Sequence, residues 1–287
     1  MFFHLNSWRR HLHGVLAMAV LCGCNGRNEG TMAANSTETQ AAETQPATGP
    51  ATQPATRPWE PPDPPGADAH VNLRHRMVEN QLASPRDGRR PIRDRRVLDA
   101  MRAAPRHVFA PGHAPIAAYS DSPLPIGHGQ TISQPYIVAL MTKLLEVTPE
   151  SHILEIGTGS GYQAAVLAHL TPHVYTIEIV EPLARQAMEI LQEQGYTNIH
   201  CRIGDGYKGW EEAAPFDGII VTCAADEVPA PLWEQLRPGG RIVIPLGPIG
   251  RVQELVVITK TEDGQRRMER VIPVRFVPMT GEVDQQR

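Results

Sequence analysis

From residue 151 onward the chain alternates between two periods. Short apolar runs rich in β-branched residues, HILEIG (152–157), VYTIEI (174–179), IHCRIGD (199–205), FDGIIVTC (216–223) and GRIVIPLG (240–247), read as strands. Between them YQAAVLAHL (162–170), EPLARQAMEILQEQG (181–195) and APLWEQL (230–236) carry apolar residues at helical spacing. Strand and helix taking turns predict an α/β domain, a doubly wound parallel sheet with helices on both faces. ELVVITK (254–260) and ERVIPVRFVP (269–278) read as further strands, antiparallel or at the sheet edge. Upstream, LRHRMVENQL (73–82) and RDRRVLDAMRAA (93–104) have helical periodicity, and Pro105 closes the second. YSDSPLPIGHGQTISQP (119–135) reads as a long loop of the kind that tends to be functional, followed by the helix YIVALMTKLLEV (136–147).

Composition changes sharply near residue 70. Residues 1–24, MFFHLNSWRRHLHGVLAMAVLCGC, join a basic start at Arg9 and Arg10 to a short apolar core from Val15 to Leu21. That is the anatomy of a signal peptide, too short for a permanent membrane span. Leu21-Cys22-Gly23-Cys24 resembles a bacterial lipoprotein cleavage box, in which Cys24 becomes an acylated first residue and anchors the chain to lipid. Residues 25–69 are rich in Thr, Ala, Gln and Pro. They cannot bury enough apolar surface to offset the entropy of ordering and are expected to form a disordered tether. The folded domain is then 70–287. A net charge of −4 and 5% aromatic residues give neither an electrostatic nor a stacking reason to expect nucleic acid. The arginines between 86 and 106 are interspersed with Asp87, Asp94 and Asp99 and read as a solvated helical face. Beyond the leader only Cys201 and Cys223 remain, with no HExxH or paired CxxC spacing, so no metal site is expected.

The chemistry is expected at EIGTGSG (155–161), at the carboxyl end of the first strand of the alternating series, where doubly wound sheets bind ligands. Gly157, Gly159 and Gly161 permit a tight turn and close approach of a ligand to the backbone. A dinucleotide fingerprint would read GxGxxG, whereas the run here is GxGxG with Glu155 before it; a carboxylate there repels a pyrophosphate and attracts a cation. Glu178, about twenty residues on, ends the next strand where an acid accepts both hydroxyls of a ribose. Asp205, in IGDG with Gly206, is placed to receive an adenine amino group. A ligand with a ribose, an adenine and a positive centre but no pyrophosphate is S-adenosylmethionine. Ser160 has Thr158 rather than glycine two positions before it, which removes a GxSxG nucleophile, and no lysine completes a P-loop.

Taken together, LPIGHGQTISQPYIVALMTKLL, LEIGTGSGYQAAVLAHL, IGDGYKGWEEAAPFDGIIVTCAA, LRPGGRIVIPLG and RFVPMT, in that order from Met77 to Thr280, resemble the protein-L-isoaspartate O-methyltransferases. The resemblance implies a class I methyltransferase Rossmann-like fold with N-terminal helices and a rearranged C-terminal edge. It also implies methyl esterification of the free carboxylate of L-isoaspartyl residues in damaged proteins and peptides, the first step of a repair. By position, Ser133 corresponds to the active-site serine, with Gln130, Thr131 and Ile132 lining the same pocket. Glu155, Gly157, Gly159, Gly161, Glu178, Asp205 and Gly206 fall at cofactor positions, and Thr280 at a residue that closes the pocket. Ser133 also reads as a helix N-cap, since Pro135 falls just inside the next helix start. Two alternatives stay open: a non-catalytic exported binding lipoprotein with this fold, or a methyltransferase for another carboxylate. Location is open too, between a lipid-anchored envelope protein and a cytoplasmic form, started at Met32 or Met77, where the cofactor is supplied.

Overall fold

The computed structural model describes residues 59–60 and 69–282. The expected leader, the Cys24 anchor and nearly all of the expected tether lie outside the described residues.

The N-terminal layer is helical. α1 (Val71–Met77) runs into a single π-helical stretch over Val78–Ala83, so the predicted helix is present but widens in its second half. α2 (Arg95–Ala103) starts at Asp94, whose side chain accepts from the Arg96 and Val97 amides, and buries Val97, Leu98, Ala100 and Met101. After the short α3 (Pro115–Ala118), the expected loop contains a two-stranded antiparallel hairpin, β1 (Leu124–Gly127) and β2 (Gln130–Ile132). His128, at φ 52°, sits in its turn between Gly127 and Gly129. α4 (Pro135–Leu145) follows directly.

The rest is a seven-stranded sheet. It comprises β3 (His152–Ile156), β4 (His173–Glu178), β5 (Ile199–Ile203), β6 (Phe216–Val221), β7 (Leu236–Leu246), β8 (Gln253–Lys260) and β9 (Arg266–Val274), in the order β5-β4-β3-β6-β7-β8-β9. The β3, β4, β5, β6 and β7 pairings are parallel; β8 and β9 are added antiparallel, as the sequence predicts for the late strands. Strand order reverses beside β3, which makes its carboxyl end the switch point where open sheets leave a crevice. Successive β3 residues face opposite cores. Ile153 packs with the α4 and α5 (Tyr162–Ala168) side, joined by Leu191 of α6 (Glu181–Glu193). Leu154 and Ile156 pack with Leu232 of α7 (Ala230–Gln235). Burying both faces removes the polar alternation an exposed sheet would show.

Past β9 the chain does not continue as a strand. It turns back over the carboxyl ends of β3, β4 and β6: the Ala224 amide donates to the Val277 carbonyl at 2.7 Å and the Met279 amide to the Ala224 carbonyl at 2.8 Å. The predicted run 269–278 therefore splits into a strand and a return strap.

Candidate active site

The glycine loop is tied to the end of β4. The Gly157 and Thr158 amides both donate to the Ile177 carbonyl, at 2.8 and 3.2 Å. The Gly159 amide donates to Oε2 of Glu178 at 2.8 Å, while Oε1 of the same carboxylate accepts from the Val180 amide at 2.9 Å. Gly157, Gly159 and Gly161 have φ of 94°, 52° and 87°. A Cβ at Gly157 would meet Thr222 Oγ1 at 2.5 Å, and one at Gly206 would meet Ile156 Cγ2 at 2.4 Å, so neither position admits a side chain without movement. The two glycines keep β3, the Thr222 turn and the Asp205 turn close together.

Three connected spaces result. An outer cavity of about 430 Å³ is bounded by Ser133, Gln134 and Tyr136 on one side and by 272–277 on the other. A crevice of about 60 Å³ runs between the glycine loop, Glu178, Gly206 and Gln130, under Pro278, Met279 and Thr280. An inner space of about 40 Å³ holds Ile132, Ser133, Glu155, Gly157 and Gly159. Thr131 and Thr222 line all three, and Ser133 lines both the outer cavity and the inner space. The site residues expected from sequence therefore converge, with two exceptions. Gly161 lines none of these spaces and packs toward Ala187 and Leu191. Asp205 does not line them either: its oxygens accept from the Tyr207 amide at 2.9 Å and the Glu282 amide at 2.7 Å, fastening the strap.

Ser133 is not the helix cap. The N-cap of α4 is Gln134, and its side chain makes no capping bond. Asp121 does this work from across the hairpin, accepting from the Tyr136 amide at 2.9 Å and from Gln134 Nε2 at 3.4 Å. The Ser133 hydroxyl is thereby left for another partner.

Glu155, expected to attract a cation, lies behind the glycine loop. It is completely buried, its Oε2 accepts from Thr176 Oγ1 at 2.7 Å, and Oε1 has no partner among the described residues. Loss of solvation outweighs the threonine bond and pushes its pKa up to about 8, with Glu178 adding to the rise. A cation brought to the orphaned oxygen would reverse this preference and draw out the charged form, so the residue fits a positively charged ligand. Two threonines extend the bond network, Thr158 Oγ1 lying 2.6 Å from Thr176 Oγ1.

Over residues 77–284 the chain matches the protein-L-isoaspartate(D-aspartate) O-methyltransferase family. It belongs to that family. A protein-L-isoaspartate O-methyltransferase of Opitutus terrae is 57% identical over 214 residues, which cover 75% of this chain and 89% of that protein. A second such protein, from a Polaromonas species, is 54% identical over 210 residues, 72% of this chain and all of that one. Among solved structures, a protein-L-isoaspartate O-methyltransferase of Plasmodium falciparum in complex with S-adenosyl-L-homocysteine is 27% identical. It aligns with a TM-score of 0.62 over 72% of this chain and 98% of that one.

Within this member of the protein-L-isoaspartate methyltransferase family, Thr222 was the wall residue that sequence reasoning missed. Its hydroxyl donates to the Ile156 and Gly157 carbonyls at 3.0 and 2.7 Å, and its place at the end of β6, beside β3, was the available signal. Cys223 also lines the crevice, and burial pushes its thiol up to about 12. Among the described residues no group of three or more His, Cys, Asp or Glu could hold a metal ion, and no helix is long and apolar enough to cross a membrane.

Proposed function

We propose that this chain methylates the free carboxylate of L-isoaspartyl residues in damaged proteins and peptides, with S-adenosylmethionine as methyl donor. The observation that carries the reading is the shared wall: Ser133 and Thr131 belong both to the outer cavity of about 430 Å³ and to the space behind the glycine loop. An acceptor entering from outside meets a donor held inside at these residues.

The bound cofactor would supply an electrophilic methyl group on a sulfonium. Glu178 would hold the ribose, since each of its oxygens keeps a lone-pair direction free beyond the Gly159 and Val180 amides. Glu155 would face the cationic end. Gln130, Thr131, Ile132, Gly157, Gly159, Gly206 and Thr280 would form the walls. Asp205 supports this arrangement by fastening the strap rather than as a wall, since it lines none of the three spaces.

The acceptor needs no general base. A free carboxylate has an unperturbed pKa near about 4, so it is already ionised at neutral pH. What the chain must provide is position, which can contribute about 7–11 kcal/mol when reacting atoms are held in line. The Ser133 hydroxyl, unused by the fold, would donate to one carboxylate oxygen and aim the other inward. Titration calorimetry tests these assignments. Ser133→Ala should retain S-adenosylmethionine affinity and lose turnover, whereas Glu178→Ala should lose affinity first; equal loss of both in Ser133→Ala would remove its orienting role.

For location, we propose export and lipid anchoring at Cys24, which rests on the sequence of residues 1–24 alone. Metabolic labelling with a radioactive fatty acid should mark the full chain and not Cys24→Ala. Label on neither, with the protein in the soluble cytoplasmic fraction, would place it with its cofactor supply instead.

A further inference from the structure

The outer cavity has a charge imbalance that methyl transfer itself does not require. Its lining includes two arginines, Arg89 and Arg275, and no Asp or Glu. Arg89 is neutralised locally, with Nη2 2.6 Å from Asp87 and 2.5 Å from Asp121, and its guanidinium lies 4.1 Å from the Tyr136 ring centroid. Arg275 differs in every respect. It is exposed, and no carboxylate among the described residues lies within ion-pairing distance of it.

The backbone around Arg275 is fixed even though its side chain is free. Val274 pairs with Gln253 at the end of the β8–β9 ladder, the Phe276 amide donates to Gln253 Oε1 at 3.0 Å, and the Val277 carbonyl accepts from Ala224 at 2.7 Å. Arg275 thus lines the same cavity as Ser133 and Gln134 from a fixed stretch of backbone, and no carboxylate among the described residues pairs with it. The acceptor carboxylate belongs at Ser133, on the side shared with the inner space, which leaves Arg275 for a second negative group along the same peptide.

We propose that Arg275 is a specificity-determining residue that favours isoaspartyl peptides carrying an Asp or Glu side chain next to the isoaspartyl residue. The inference rests on the functional reading above. An exposed guanidinium–carboxylate pair corresponds to roughly a two- to five-fold preference, and salt weakens it.

The test uses the full chain and three isoaspartyl peptides differing only in the following residue, Glu, Gln or Lys. For the wild-type protein KM should rise in the order Glu, Gln, Lys, and the spread should shrink at about 0.5 M salt, where screening is nearly complete at contact distances beyond a few ångströms. In Arg275→Gln the KM ratio between the Glu and Gln peptides should fall to one, and Arg275→Lys should restore part of it. A wild-type protein indifferent to the flanking charge would overturn the proposal. So would an Arg275→Gln variant that loses activity equally on all three peptides, which would instead put Arg275 on the acceptor carboxylate or in the fold. If the wild type labels no isoaspartyl peptide of any charge, the functional reading fails, and this proposal with it; a labelled but charge-blind enzyme overturns this proposal alone.

Discussion

Glu155 ends β3 as a carboxyl group with one hydrogen-bond donor and no contact with water, and its pKa rises to about 8. In the unfolded chain the same group titrates near about 4.3. The folded state therefore binds the proton more tightly, and stability from this residue is fully present below the unfolded pKa and lost as pH climbs toward about 8. Thermal melts should show Glu155→Gln gaining on the wild type as pH rises from about 4 to about 8, with no further change above that. Parallel pH dependence in the two proteins would contradict a buried, proton-holding Glu155. Ser133 has the opposite character: its hydroxyl takes no part in capping α4, so removing it should leave the melting temperature nearly unchanged. Turnover should fall roughly ten- to a hundred-fold, the range of a hydrogen bond to a charged group. At this scale the sequence disclosed identities better than environments. The acid at the glycine loop was legible from its place in EIGTGSG, but its burial depends on Thr176 and the sheet on either side, which no local spacing encodes.

Between residues and molecule stand the glycine loop, the hairpin and the strap. The loop was legible because its glycines fall at every second position from 157 to 161 and each has a positive φ. The β1–β2 hairpin was not: its strands have four and three residues, one containing Pro125, too short for alternation to declare itself. The strap was hidden for another reason. RFVP carries the β-rich composition of a strand, yet its Phe276 amide bonds to the Gln253 side chain and its Val277 carbonyl to Ala224, contributed by a distant turn. The strap ends on Asp205, against which Gly281 is pressed at φ 108°, and Lys208 lies 3.6 Å from Glu282. The crevice beneath it, at about 60 Å³, is far smaller than the about 300 Å³ or more of a typical ligand pocket. Pro278, Met279 and Thr280 of the strap form its roof. Asp205→Ala should release the Glu282 amide and accelerate cofactor dissociation in stopped-flow exchange, while leaving the sheet intact by circular dichroism. An unchanged dissociation rate would exclude the strap as the closing element. Gly157→Ala should be harsher, since its Cβ collides with Thr222 and its φ is unfavourable for alanine; lower stability and weaker cofactor binding should appear together.

At the scale of the whole molecule, alternation of strand and helix was enough to predict a doubly wound sheet, and the switch point beside β3 then located the site. The strand order could not be read, because parallel pairings join residues separated by an intervening helix and depend on which side of β3 the chain turns. The outer cavity shares that dependence: Ser133 precedes α4 while Arg275 follows β9, and only the antiparallel return of β8 and β9 makes them two walls of one space. That space is what separates an acceptor site from a mere cofactor site. The most direct measurement is transfer of radiolabel from methyl-labelled S-adenosylmethionine by the full chain to two peptides identical except for one Asp or isoaspartyl linkage. Base-labile label on the isoaspartyl peptide alone is the predicted result; label on neither peptide while the cofactor binds, or equal label on both, would contradict it.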